Sequence, residues 1–263
     1  MKPLLIDTHA HLFLEEFKND QQGVIDRSFK EFSLKHIINV GIDIASSKQA
    51  IQIAKNDSLR FSASCGIHPN HLIAPEIRPE RIKQLTQLIE NERSSIVALG
   101  EIGLDYYRDY VQPHDQQFMF IEQIHIAVAF QLPIIIHCRN AFNDTYAILR
   151  HHLPSEYPVV FHCFSGDHDN LTQLIQAGYY VGIAGPVTFK NSPLAKLIPL
   201  IPPQRLLIET DAPYLAPAPY RGQRNIPGYV AYTASTIARL LSTSTDETIE
   251  LTSSNAQRFF QLR

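Results

Sequence analysis

Residues 4–12 read Leu4-Leu5-Ile6-Asp7-Thr8-His9-Ala10-His11-Leu12, an aliphatic run that stops on two histidines one residue apart. Alternate side chains of an extended strand share a face, so His9 and His11 aim the same way. The construction recurs down the chain. Ala98-Leu99-Gly100 runs into Glu101, Ile135-Ile136 into His137, Val160-Phe161 into His162, and Leu207-Ile208 into Glu209-Thr210-Asp211. One apolar run ending on a metal-competent side chain is ordinary. Five in one chain call for a fold that gathers strand ends, and a TIM (β/α)8 barrel does so, because the C-terminal ends of its strands converge on one mouth.

Eight short runs are expected as strands: 4–8, 35–40, 60–64, 96–100, 132–136, 158–161, 178–183 and 205–208. Most are continuously apolar, as expected when both faces of a parallel sheet are covered. Helical spacing fills the intervals. It is clearest for Phe118, Ile121, Ile124 and Val128 within 113–131, where Pro113 suits the first turn. From His9 to Asp211 the strand ends recur about every 29 residues, the size of a strand-helix unit. Such alternation indicates a parallel α/β fold. A doubly wound open sheet is the rival, and the polar strand ends favour the barrel. A Pro-rich loop (212–228) and helices at 229–241 and 246–260 complete the chain. With 263 residues, 44% of them hydrophobic, and no low-complexity linker, residues 1–263 are expected to form a single domain.

The formal net charge of −3 gives no general field for nucleic acid or anionic membrane, so a phosphate-bearing substrate must be held locally. The apolar run after Met1-Lys2-Pro3 is too short for a signal peptide, and no stretch reaches the ~18 apolar residues of a membrane helix. Cys65, Cys138 and Cys163 lack CxxC spacing and read as reduced thiols. The expectation is a cytoplasmic protein with no membrane association and no obligate protein partner.

Histidines combined with carboxylates suit Zn²⁺ or Mn²⁺ better than Ca²⁺, with Mg²⁺ a further candidate. The expected ligands of two divalent ions are His9, His11, Glu101, His137, His162 and Asp211. Glu101 would bridge, His9, His11 and Asp211 would complete one ion, and His137 and His162 the other. Two ions about 3.5–4 Å apart can activate a water and clamp both oxygens of a phosphodiester displacement. Asp211 could also accept the water's proton, which makes Glu101 and Asp211 the catalytic candidates. Asp7 and Glu209, deeper on the same faces, are expected to orient imidazole N–H groups. Strand parity places Ile135, Val160 and Leu99 below His137, His162 and Glu101 in the barrel interior, and turns Cys138 and Cys163 away from the mouth. His68, in Gly66-Ile67-His68-Pro69, and Arg139 are the expected substrate contacts. Arg108, Lys190, Arg221 and Arg224 lie in other mouth loops, where arginines can grip phosphates, and Tyr106, Tyr107, Phe164 or Tyr214 could stack on a base.

Several motifs occur in order: Asp-Thr-His-Ala-His-Leu at 7–12, Gly-Ile-His-Pro at 66–69, Gly-Glu-Ile-Gly-Leu-Asp-Tyr-Tyr-Arg at 100–108 and Ile-Ile-His-Cys-Arg at 135–139. Phe-His-Cys-Phe-Ser-Gly follows at 161–166 and Leu-Ile-Glu-Thr-Asp-Ala-Pro-Tyr-Leu-Ala-Pro at 207–217. Together they resemble the TatD family of metal-dependent deoxyribonucleases, within the amidohydrolase-type barrels, over essentially the whole chain. The resemblance implies a TIM barrel, two divalent ions and hydrolysis of DNA phosphodiesters, often 3′-to-5′ on single-stranded ends, and it implies the same six ligands. Asn140 departs from the acidic residue that relatives commonly carry there. The same centre acting on a lactone, amide or small phosphoester, and a non-catalytic metal-holding protein, are the alternative readings.

Overall fold

The structure, a computed structural model, describes residues 3–71 and 75–262. Met1, Lys2 and Arg263, touched by the reading of the N-terminus and by the 1–263 domain bounds, lie outside the described residues. The strands are β1 (Leu5–Ala10), β2 (Leu34–Val40), β3 (Phe61–Cys65), β4 (Ile96–Asp105), β5 (Ile134–Arg139), β6 (Val159–Phe161), β7 (Tyr180–Ile183) and β8 (Leu206–Ile208). The helices are α1 (Gln21–Phe32), α2 (Ile44–Asn56), α3 (Arg78–Glu92), α4 (Pro113–Phe130), α5 (Phe142–His152), α6 (His168–Gln176), α7 (Val230–Leu241) and α8 (Thr245–Phe260). All paired strands are parallel, and their spatial order is their order in the chain.

The first and last strands are stitched at the mouth end. Asp211 N donates to His9 O (2.9 Å), His11 N donates to Ala212 O (2.8 Å), and Ala10 bridges Ala212. The sheet is therefore a nearly closed barrel of the TIM type. Pro113 opens α4 as expected, and side chain–backbone capping boxes start α2 (Asp43 with Ser46), α6 (Asp167 with Asn170) and α8 (Ser244 with Glu247), satisfying amides that a helix start leaves unpaired. Among the described residues no helix is long and apolar enough to cross a membrane.

One buried cluster draws a side chain from seven of the strands: Ile6, Ile38, Ala98, Ile135, Val160, Tyr180 and Leu207. It fills the barrel, and Ala256, Phe259 and Phe260 of α8 pack against it. With aliphatic packing below, the polar strand ends above have the mouth as their only outlet. Ile135 and Val160 sit inside, as parity requires. Leu99 does not: it packs in the outer layer with the helix-facing residues, and Ala98 takes the interior position. The β4–β5 register shifts between Leu99 and Ile102, around Gly100 at φ +148°, so alternation cannot be counted through that point.

Candidate metal centre

Glu101 stands at the middle of the mouth. Its Oε1 lies 2.7 Å from His137 Nδ1, 2.7 Å from His162 Nε2 and 3.5 Å from His68 Nε2. Its Oε2 faces the other pair, 3.5 Å from His9 Nε2 and 3.8 Å from His11 Nε2. Asp211 Oδ1 closes the far side, 3.4 Å from His11 Nε2 and 3.8 Å from His9 Nε2. The His9 and His11 Nε2 atoms are 3.2 Å apart, and the His9 and His162 rings stack at 4.0 Å. The six residues expected from sequence as ligands are thus neighbours, and His9, His11, Glu101 and His162 are each at most 8% exposed.

The acceptors outnumber the protons available to them. His11 Nδ1 is 2.7 Å from Val40 O, which fixes the proton on Nδ1 and leaves Nε2 as a bare acceptor facing two carboxylates. Positive charge reconciles such a cluster, as a bound cation or as added protons. Burial opposes charging His11, and Asp211 beside it outweighs burial and lifts its pKa. Burial likewise opposes charge on His137, but hydrogen bonds to Asp105 and Glu101 raise it, and the Glu101 charge holds His162 well above the usual range. Against its own burial, Glu101 is held well below the usual carboxylate range by His162, His68 and His137. Among the described residues His9, His11 and Asp211 form one metal-competent group, His68, Glu101 and His137 a second, and His9, His162 and Glu209 a third. Among the described residues the buried Nδ1 of His9 has no hydrogen-bond partner, and that of His162 has only the long contact to Glu209. The donor set therefore fits divalent metal, and no cysteine belongs to any of these groups.

Glu209 reaches under the cluster, its Oε1 3.4 Å from His162 Nδ1 and 2.5 Å from the Cys163 amide nitrogen that donates to it. Asp7 differs from its expected placement. Its carboxylate accepts from the backbone N–H of His9 (3.2 Å) and of Thr210 (2.9 Å) and from the Thr210 hydroxyl (2.6 Å), and among the described residues it bonds no imidazole. It staples β1 to the segment after β8, and burial, only partly offset by the Thr210 bonds, pushes its pKa up to about 8.

His68 lies closer in than its reading as a mouth-loop contact implied, against Glu101 and edge-on to His137 at 4.2 Å. The Asn70 amide donates to its Nδ1 (3.1 Å), so its proton sits on Nε2, and burial together with the His137 charge lowers its pKa to about 3. Arg139 is exposed at the rim. Arg224 is tied to Asp20, with Nη1 and Nη2 at 2.9 and 2.5 Å, and Tyr106 is tied to Asp144 at 2.8 Å.

One functional residue escaped the sequence reading. Asp105, 1% exposed, places Oδ2 3.1 Å from His137 Nε2 and 2.9 Å from Asn70 Nδ2, while Oδ1 accepts from the amides of Tyr107 and Arg108. A strand continuing through Glu101 sends residues 101, 103 and 105 to one face, so parity carried past the expected end at Gly100 would have found it.

The family described as TatD related DNase matches residues 6–261. A relative from Bacillus subtilis named uncharacterized metal-dependent hydrolase YabD is 36% identical over 260 residues, covering 98% of this chain and 100% of its own length. A protein of Erwinia amylovora named 3′-5′ ssDNA/RNA exonuclease TatD is 33% identical, covering 98% and 100%. The crystal structure of the TatD homologue YjjV from Escherichia coli superposes with a TM-score of 0.91 at 28% identity, covering 98% of each chain.

Proposed function

Because the chain belongs to the family of TatD-related DNases, and is thereby a metal-dependent hydrolase acting on ester bonds, we propose that it is a two-metal nuclease removing nucleotides from single-stranded DNA 3′ ends. One observation carries the two-metal reading. The two oxygens of Glu101 serve different histidine sets, Oε1 toward His137 and His162 and Oε2 toward His9 and His11. On this reading His9, His11 and Asp211 would hold one ion and His137 and His162 the other, with Glu101 shared. Zn²⁺, Mn²⁺ or Mg²⁺ bound there would supply Lewis-acid activation of the phosphodiester and of the attacking water.

The chain's own groups do the rest. Against its burial, Asp211 is held below the usual carboxylate range by its bond to His11 and the charges of His9 and His162, so it is ionised at neutral pH, and in the reaction it would take the attacking water's proton. Val40 O, Asp105 and Glu209 fix the orientation of His11, His137 and His162. His68, neutral and with its proton on Nε2, acts as a hydrogen-bond donor to the substrate's phosphoryl oxygen, and Arg139 supplies a guanidinium to the chain beyond it. The chain works as one domain of the cytoplasm, a compartment that suits its three free thiols.

The test is a 5′-labelled single-stranded oligonucleotide with purified protein in Mn²⁺, Mg²⁺ or Zn²⁺, alongside lactone and amide panels. A ladder shortening from the 3′ end is expected, with Glu101→Gln losing at least about a hundredfold in kcat while retaining a native circular dichroism spectrum. Intact oligonucleotide beside turnover of a lactone or amide would transfer the centre to that other substrate.

A further inference from the structure

Four arginines around the mouth lie over aromatic rings. Arg224, 5.2 Å from the centre of Phe17, is spent on Asp20 and on Glu16 O, and Arg108, 5.5 Å from the centre of Tyr110, donates to that ring's hydroxyl at 2.8 Å. Arg139 and Arg221 stack more closely, 3.8 Å from the centre of Tyr107 and 4.4 Å from the centre of Phe189. Neither makes an ion pair among the described residues. A guanidinium stacked this way is held in position while the N–H donors along its edge stay available. Both arginines are exposed.

The first stack is built onto the metal-competent cluster. Arg139 lies two residues beyond His137 on β5, so alternation gives the two a common face, and it pairs in register with Asp105. Asp105 joins the parts: one oxygen meets His137, and the other holds the amide of Tyr107 at 3.0 Å. Gln116 clamps the same turn, accepting from Asp105 N and donating to Asp105 O and Val111 O. The second stack sits on another flank of the mouth. Phe189 follows β7, and Arg221 belongs to the loop that leaves Asp211 after β8. Ala218 N ties that loop to Thr188 Oγ1 at 2.8 Å.

We propose that Arg139 and Arg221 are two backbone-phosphate subsites at the rim of the catalytic centre. A single nucleic acid strand enters the mouth with its 3′-terminal scissile phosphate at the centre and phosphates on its 5′ side at the two stacks. The proposal rests on the nuclease reading above and extends it from the reacting bond to the strand. Two observations favour this ligand over a small ester. A compact substrate confined to the centre does not need guanidinium groups on two flanks, whereas a phosphate chain presents anions at intervals. Tyr107 is 58% exposed, so its ring has surface beyond the arginine on which an unpaired base can stack. With a net charge of −3 the protein offers no general attraction to a polyanion, so local contacts must supply the affinity.

The experiment uses full-length, unsubstituted, metal-loaded protein with a fluorescent phosphorothioate oligothymidylate that resists hydrolysis, so that bound strands are not consumed, and reads its anisotropy across a salt series. Adding Arg139→Ala or Arg221→Ala is expected to raise Kd about tenfold each. Each is also expected to reduce the slope of log K against log salt by about 0.7, the value for one phosphate contact on a single strand. Arg139→Lys, which keeps the charge but loses the fork and the stack, should recover the slope and only part of the affinity. With the ordinary, cleavable oligonucleotide, both alanine variants should raise KM by more than they lower kcat. Parent-like Kd and salt slope in both variants, while the unsubstituted enzyme still degrades the strand, would overturn the subsites and leave the nuclease reading standing. A parent that neither binds nor shortens the oligonucleotide would bring down both.

Discussion

Which nitrogen of His137 is offered to the centre is decided by one carboxylate. Asp105 Oδ2 takes the Nε2 side at 3.1 Å, so the Nδ1 side is left facing Glu101 at 2.7 Å. Against burial, the hydrogen bonds from His137 and Asn70 hold Asp105 ionised well below the usual carboxylate range, which keeps it an acceptor. Asp105→Asn keeps the shape and removes the charge. It should weaken binding of the more labile ion about 10- to 100-fold, read by competition with a chromophoric chelator; unchanged affinity for both ions would show that Asp105 serves only the loop it also anchors. The expected strand stops at Gly100 and so leaves Asp105 out of reach. Ile102 and Leu104 alternate with Glu101, Gly103 and Asp105, and counted from Glu101 that alternation puts Asp105 on the face of the glutamate.

Strand β4 shows what patterning can and cannot deliver. Its ten residues are twice the run expected, because the extension past Gly100 is held by pairing with β5, from Ile102 opposite Ile136 to Asp105 opposite Arg139. That pairing is tight at Gly103, opposite His137, where φ is +142° and an added Cβ would lie 2.0 Å from His137 O. Gly103→Ala should therefore cost about 2–4 kcal/mol, from backbone strain and from displacement of β5. It should also reduce metal occupancy by moving His137. A urea midpoint within error of the wild type would contradict the close approach. Leu99 is the companion case: period-2 counting put it in the barrel, and the register shift beside Gly100 turned it outward.

Across the whole molecule, the cluster of like groups at the mouth makes the metal part of the stability. Without cations, acceptors of β1, β4 and the segment after β8 face one another. Binding at a free ion concentration of a hundred times Kd adds about 2.7 kcal/mol per site. Chelation is expected to abolish turnover and lower Tm, and Mn²⁺ or Zn²⁺ to restore both; a Tm indifferent to chelator and metal would mean that the cluster holds no ion in the folded enzyme.

The sequence by itself determined the barrel and its contents. Eight apolar runs at regular spacing dictate a covered parallel sheet, and a polar group at the end of a buried strand has only the mouth to enter, so His9, His11, Glu101, His137, His162 and Asp211 could be read as one neighbourhood. The tertiary structure alone decided what depends on register and distance across the sheet. It drew Asp105 to His137, committed Asp7 to Thr210 instead of an imidazole, brought His68 against Glu101, and spent Arg224 on Asp20 while leaving Arg139 and Arg221 without ion pairs among the described residues. Periodicity fixes the direction of a side chain along its own strand, but which atoms it meets is set by pairing between residues up to 249 positions apart, on which local sequence is silent.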